Sequence, residues 1–262
     1  MKGTNKEILP DISNIKSHET YTLPSKGLVY KPEDNIPASI TLRRMTTKED
    51  KIRMRNASEE EIRKEILQAC ITDQGIQAGK LCLEDANFLM FRLRSLSLLD
   101  DTYKIPCFCT GCQTNFINEI ELSKIHINYL NKKDLELLNI ELPISKAKIN
   151  LKYPTLDDMR VINEKIRAYF AEFPNADKGE VIYTVSAIVY IDKINGNKLL
   201  TEEVEDWLDA LDIIDNRELR KVINILDDKI GIDTTITTNC PTCGREIVHG
   251  IPLTSELFKP SH

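Results

Sequence analysis

Apolar residues recur at helical spacing in some stretches of this chain, alternate in others, and show no period in the first 38 residues. Ile62, Ile66, Ala69 and Cys70 share one face of a helix predicted over about 59–73. Phe88, Phe91, Leu96 and Leu99 form a broad apolar stripe on a helix predicted from Leu83 to Leu99, and such a stripe reads as core. Thr46-Thr47-Lys48-Glu49 and Ser58-Glu59-Glu60-Glu61 read as capping boxes, in which the hydroxyl takes an orphan N–H and the glutamate reaches back. They start that helix and an earlier one of about 47–57, after a short strand at Ser39 to Leu42. Residues 1–38, punctuated by Leu23-Pro24-Ser25-Lys26-Gly27, predict an extended arm that lies on another surface.

Further on, Asn128 to Leu138 predicts a helix, and Lys146 to Tyr153 alternates as a strand after Pro143. Thr155 caps a helix running to about Phe170, with Asp157 and Asp158 in the first turn, where the dipole favours them. Val181 to Ile191 is apolar on most sides and reads as a buried helix, with a strand also open by content. Asn195-Gly196 marks a turn. Helices follow from Thr201 to Leu211 and from Asn216 to Lys229, the second ended by Gly231. Tyr103 to Phe108, Phe116 to Leu122, Thr234 to Thr238 and Arg245 to Ile251 predict strands. On the second of these, Phe116, Asn118, Ile120 and Leu122 share a face.

Composition narrows the class. A hydrophobic share of 41% beside 29% charged residues is that of a globular protein, and no segment approaches the roughly 20 apolar residues of a membrane span. The N-terminal run Met1-Lys2-Gly3-Thr4-Asn5-Lys6-Glu7 has no apolar signal core, which predicts a cytosolic location. The net charge is −6, and residues 154–239 hold 18 Asp+Glu against 10 Lys+Arg, an acidic block unsuited to nucleic acid. The one basic cluster, Arg43, Arg44, Lys48, Lys51, Arg53 and Arg55, is diluted by Glu49 and Asp50 and reads as a solvated or partner-facing helix.

The cysteines carry the candidate chemistry. Cys109-Thr110-Gly111-Cys112 and Cys240-Pro241-Thr242-Cys243 are two C-x2-C knuckles, each flanked by strands. Together they supply the four thiolates of a tetrahedral structural Zn2+ site, a full coordination shell with no open position for catalysis. Residues 113–239 separate the pairs, where a compact ribbon has about 15–20 residues. The expectation is therefore a mainly helical α+β fold: a small zinc-ribbon-like antiparallel sheet (105–122 plus 234–253) split by a mainly helical acidic insertion (123–233), with a helical region (39–104) and the extended arm (1–38). Cys107 competes with Cys109 for one ligand position because the two share a strand face. His126 and His249 are substitute ligands in principle, while Cys70 and Cys82 read as small buried residues.

Phosphate-loop, dinucleotide-fold, nucleophile-elbow and H-E-x-x-H motifs are all missing, so nothing in the sequence supports catalysis. The arm Leu23-Pro24-Ser25-Lys26-Gly27-Leu28-Val29-Tyr30 leads into Ile40-Thr41-Leu42-Arg43-Arg44-Met45-Thr46-Thr47-Lys48-Glu49-Asp50. The chain closes with Cys240-Pro241-Thr242-Cys243-Gly244, Gly250-Ile251-Pro252-Leu253 and Phe258. This order resembles the baseplate hub subunit family of T-even-like contractile-tailed bacteriophages. The resemblance implies a non-enzymatic role in tail assembly, as a hub component or as an assembly factor acting on the hub or the tape measure. It implies other baseplate hub or tape-measure proteins as partners, and the host cytoplasm or the virion tail as the location. It brings no catalytic residues; the zinc set Cys109, Cys112, Cys240 and Cys243 is read from this sequence alone. A nucleic-acid-binding zinc-ribbon protein is the alternative, and residues 240–262 offer it only Arg245 and Lys259 as cations besides His249 and His262.

Overall fold

Three reciprocal caps begin three helices at the predicted places: Thr46 with Glu49, Ser58 with Glu61, and Thr155 with Asp158. A computed structural model describes residues 18–174, 186–251 and 255–258 of the chain. The helices are α1 (Thr47–Arg53), α2 (Glu59–Cys70), α3 (Leu83–Leu98), α4 (Leu156–Glu172), α5 (Thr201–Asp209) and α6 (Ile213–Asp228). They combine with small antiparallel sheets in a mixed α+β fold in which helix dominates.

Two apolar cores organise these elements. The first gathers α1, α2 and α3 around β1 (His18–Thr22) and β2 (Ser39–Arg43), with β3 (Thr102–Phe108) and β4 (Asn115–Glu121) leaning on it. Strand β1 pairs with β2 through Thr20 opposite Thr41, and β3 with β4 through Ile105 opposite Asn118. The second core is built mainly from the excursion between the knuckles, with Cys82 among its buried members and Leu28, Val29 and Tyr30 packed against it. It packs α4, α5 and α6 on a three-stranded sheet of β6 (Asn139–Glu141), β7 (Lys148–Leu151) and β8 (Ile191–Ile194). The excursion is closed at its base where β5 (Ile127–Asn128) pairs with β9 (Gly231–Ile232). Gly231 sits there at φ +99°, and a Cβ on it would come within 3.2 Å of Glu84 Cβ, so glycine meets both the backbone and the packing demand. Strands β10 (Thr235–Asn239) and β11 (Glu246–Gly250) then form the last hairpin.

Several expectations need correction. Residues 18–38 do not lie on another surface: they pair and pack within their own chain, and Leu23 and Ser25 are wholly buried. Asp85, in the first turn of α3, accepts hydrogen bonds from the Ser25 amide (2.9 Å), the Ser25 hydroxyl and the Tyr30 hydroxyl (2.6 Å). Partners on other elements thus order a segment that has no period of its own; residues 1–17 lie outside the described residues. Residues 128–138 are not one helix. Asn128 belongs to the β5 clasp, and only Lys132–Leu138 turns, as a 3-10 helix with an Asn131–Asp134 cap. Within the excursion the expected strand at Lys146 to Tyr153 is β7 (Lys148–Leu151), which pairs with β6 on one side and β8 on the other. Of Val181 to Ile191, residues 181–185 lie outside the described residues, 186–188 are helical, and Ile191 opens β8. Finally, β3–β4 and β10–β11 are separate two-stranded sheets and do not join into one ribbon sheet.

The C-terminal segment is fastened by a buried cation. Arg94 of α3, fully shielded from solvent, donates to the carbonyls of Leu257 (2.7 Å), Asp100 (2.8 Å) and Thr102 (3.0 Å). Leu257 and Phe258 are thereby held in the first core. Arg94→Met keeps apolar bulk but removes those donors from buried carbonyls. It should cost about 3–5 kcal/mol in urea-denaturation stability; a loss below about 1 kcal/mol would show that the arginine does not fasten this segment.

Candidate metal centre

The two knuckles share one backbone design. In the first, the Cys109 amide donates to the Thr114 carbonyl (2.9 Å), and the Gln113 amide donates back to the Cys109 carbonyl (2.8 Å). In the second, the Cys240 amide donates to Arg245 (2.8 Å) and the Gly244 amide to Cys240 (2.9 Å). Each turn needs a left-handed residue four positions after its first cysteine: Gln113 at φ 59° and Gly244 at φ 72°. Only the second knuckle uses the residue for which that conformation carries no Cβ penalty. The turns also touch each other, since a Cβ on Gly111 would lie 3.1 Å from the Arg245 guanidinium carbon.

These turns bring four sulfurs together. Cys109 Sγ lies 3.6 Å from Cys243 Sγ, and Cys112 Sγ lies 3.6 Å from Cys240 Sγ. All four sulfurs fall within 4.8 Å of one another. A tetrahedron with metal–sulfur bonds of about 2.3 Å has edges of roughly 3.8 Å, so the set has the size a four-thiolate metal ion requires. A disulfide needs about 2.05 Å, and all seven cysteines are free. Cys109 and Cys240 are buried, Cys112 is half-buried and Cys243 faces solvent.

The surroundings favour anionic sulfur at the first knuckle. The amides of Cys112 and then Gly111 point at Cys109 and lower its thiol. Cys112 is brought down to about 6, first by its hydrogen bond with the Thr114 hydroxyl, 3.2 Å away. Cys243 receives the Arg245 amide, which favours its thiolate, but the Cys112 and Cys109 sulfurs outweigh that and hold it up at about 11. Thiols crowded around one point compete to ionise, since each thiolate disfavours the next.

The four residues read from the sequence are the four that the fold brings together. Cys107 is not among them: it is buried in the first core opposite Phe116, where desolvation raises its thiol. Cys70 and Cys82 are buried and lie outside the cluster, and His126 and His249 do not join it. His249 instead ties the hairpins together. Its Nε2 lies 3.1 Å from Asn118 Nδ2, and the Thr238 hydroxyl donates to Asn118 Oδ1 at 3.3 Å. Sequence reasoning missed this link, although Asn118, a polar residue on the face of Phe116 and Ile120, was its visible signal.

A family model described as T4 bacteriophage base plate protein matches residues 16–259. No curated protein and no solved structure matches the chain. The equivalence of the two turns can be measured. Gln113→Gly should raise stability by about 0.5–1 kcal/mol, and Gly244→Ala should lower it by about 1–2 kcal/mol. Thermal melts in which both substitutions shift the midpoint the same way would contradict the shared turn geometry.

Proposed function

The chain belongs to the T4 bacteriophage base plate protein family, and from that we propose that it acts in building the hub of a contractile tail, as a hub component or as an assembly factor for the hub or its tape measure. The family role is structural and non-enzymatic, exercised through contacts with other baseplate and tail components. Family membership over most of the chain is the observation that carries this reading. In keeping with it, the host cytoplasm during assembly and the tail baseplate are the proposed locations. Among the described residues, no helix is long and apolar enough to cross a membrane.

A nucleic-acid role finds no support in the cationic cluster. Arg43 pairs with buried Glu49 (2.8 Å), Arg53 with Asp50 (2.9 Å) and Arg55 with Glu65, while Arg44 donates to the Ser97 carbonyl (3.0 Å). These guanidinium groups serve the chain's own helices and leave little charge for a phosphate backbone.

For the cysteines we propose a structural zinc ion held by Cys109, Cys112, Cys240 and Cys243. Bound there, it would neutralise the crowded thiolates and link two hairpins that share no backbone ladder. The sulfur spacing supports this reading, and so does the anion-favouring environment of Cys109 and Cys112. Four protein ligands leave no place for a reactive water, in keeping with a non-catalytic protein.

Metal analysis of protein purified without chelator should give about one zinc per chain. Cys243→Ser gives an internal check, because an exposed residue without such a role changes stability by no more than about 0.5 kcal/mol. A loss of several kcal/mol together with loss of zinc supports the site; a surface-sized effect in folded, zinc-free protein removes it. Tagged full-length chain recovered from infected cells should carry hub or tape-measure proteins. Recovery with no tail component would overturn the assembly role.

A further inference from the structure

Asp215 is wholly buried in the first turn of α6, and backbone donors occupy both of its carboxylate oxygens. The Ile144 amide donates to one oxygen and the Ser145 amide to the other, each at 2.8 Å. The remainder of this turn is closed as well. The Leu142 amide donates to Ala147 (2.9 Å), the Lys146 amide to Leu142 (3.2 Å), and the Ala147 amide to the Ser145 hydroxyl (3.3 Å). Lys146 takes φ 58° to complete it. A buried carboxylate is costly to desolvate, so one that spends both oxygens on a loop fixes that loop's shape.

The shape it fixes displays apolar surface. Ile144, at the turn, is 55% exposed; Ile213 and Ile214, which immediately precede Asp215, are 64% and 52% exposed. All three are β-branched and stiff, so covering them costs little side-chain entropy. Beside them runs an acidic stretch. Glu203, Asp206, Asp209 and Asp212 are exposed, while Lys165 of α4 pairs with Glu202 (3.6 Å) and Glu205 (2.9 Å); no lysine or arginine occurs between Leu200 and Asn216. Lys146 and Arg217 are the cations nearest in sequence to Ile144 and Ile214.

We propose that Ile144, Ile213 and Ile214, with the acidic face of α5, form a docking surface for a protein segment whose apolar side chains are flanked by lysine or arginine. Charge selects this occupant. The acidic stretch repels a phosphate backbone and an anionic lipid surface, and a second copy of the same face brings the same carboxylates. An apolar centre rimmed by cations satisfies both the isoleucines and the acids. The proposal deepens the assembly reading and rests on it, since a tail protein is the expected source of the segment.

Photo-crosslinking in infected cells tests it with the full chain. A benzophenone amino acid at Ile144 should yield an adduct with another protein, on a peptide in which apolar residues neighbour Lys or Arg. The same probe at Met54, exposed on the other core, should not. Ile213→Ser with Ile214→Ser, or Asp206→Asn with Asp209→Asn, should each cut the adduct yield several-fold while leaving the melting temperature at the wild-type value. The surface is overturned by no adduct at Ile144, by adducts to a second copy, nucleic acid, lipid or an acidic peptide, or by a yield that ignores these substitutions. If tail proteins co-purify without an Ile144 adduct, the docking surface fails and the assembly reading stands. A cationic, apolar segment from a protein outside the tail leaves the surface standing and removes the assembly reading.

Discussion

The chain leaves the first knuckle, builds a second core, and must return within a few ångströms for the four sulfurs to meet. Closing a loop of that length costs roughly 4–5 kcal/mol in chain entropy, more than two strand pairs alone would repay. The second core folds the excursion and delivers its ends. Ile127 then meets Ile232, Asn128 meets Gly231, and the Asp233 amide reaches the His126 carbonyl at 3.0 Å. Gly231 is the critical position because any side chain there would press on Glu84 at the head of α3. With the base clasped, the two hairpins emerge side by side, and Asn118, His249 and Thr238 join them below the sulfurs.

Helix α3 takes the corresponding role for the chain ends. Asp85 at its start binds Ser25 and Tyr30, and Arg94 toward its end binds Leu257. One buried carboxyl group and one buried guanidinium thus anchor segments that have little regular structure of their own. Each is surrounded by hydrogen-bond partners, the condition under which a buried charge is tolerable. This arrangement also limits what the rest of the surface must do. The clasp and α3 tie distant parts of the chain together, and the isoleucines proposed as a docking surface stand exposed outside the buried cores.

Much of the local structure was legible along the chain. The capping boxes at Thr46, Ser58 and Thr155 act between residues three apart, and the turn that holds each cysteine pair spans six residues, so the sequence alone displays them. The four candidate ligands were legible for the same reason. Residues 18–38 were not, because what orders them is Asp85 on another element, about sixty positions away. The helix expected from Asn128 failed similarly: Asn128 is claimed by Gly231, and the Leu130 amide by the Pro24 carbonyl at 2.9 Å. The separate hairpins could not be told from one ribbon sheet, since alternation shows which residues share a face and not which strands pair.

By itself, then, the sequence determined where the three capped helices begin, which residues share a face on the strand Phe116 to Leu122, and which four thiols are candidates for one ion. Tertiary structure decided that the N-terminal segment belongs to the core, that the excursion carries its own sheet, and that Asp215 fixes the turn displaying Ile144. The division follows the range of the interactions. Caps, knuckles and periodicity act within a turn or two of the backbone, whereas buried charges and strand partners are chosen by whichever distant segment satisfies them when the chain closes.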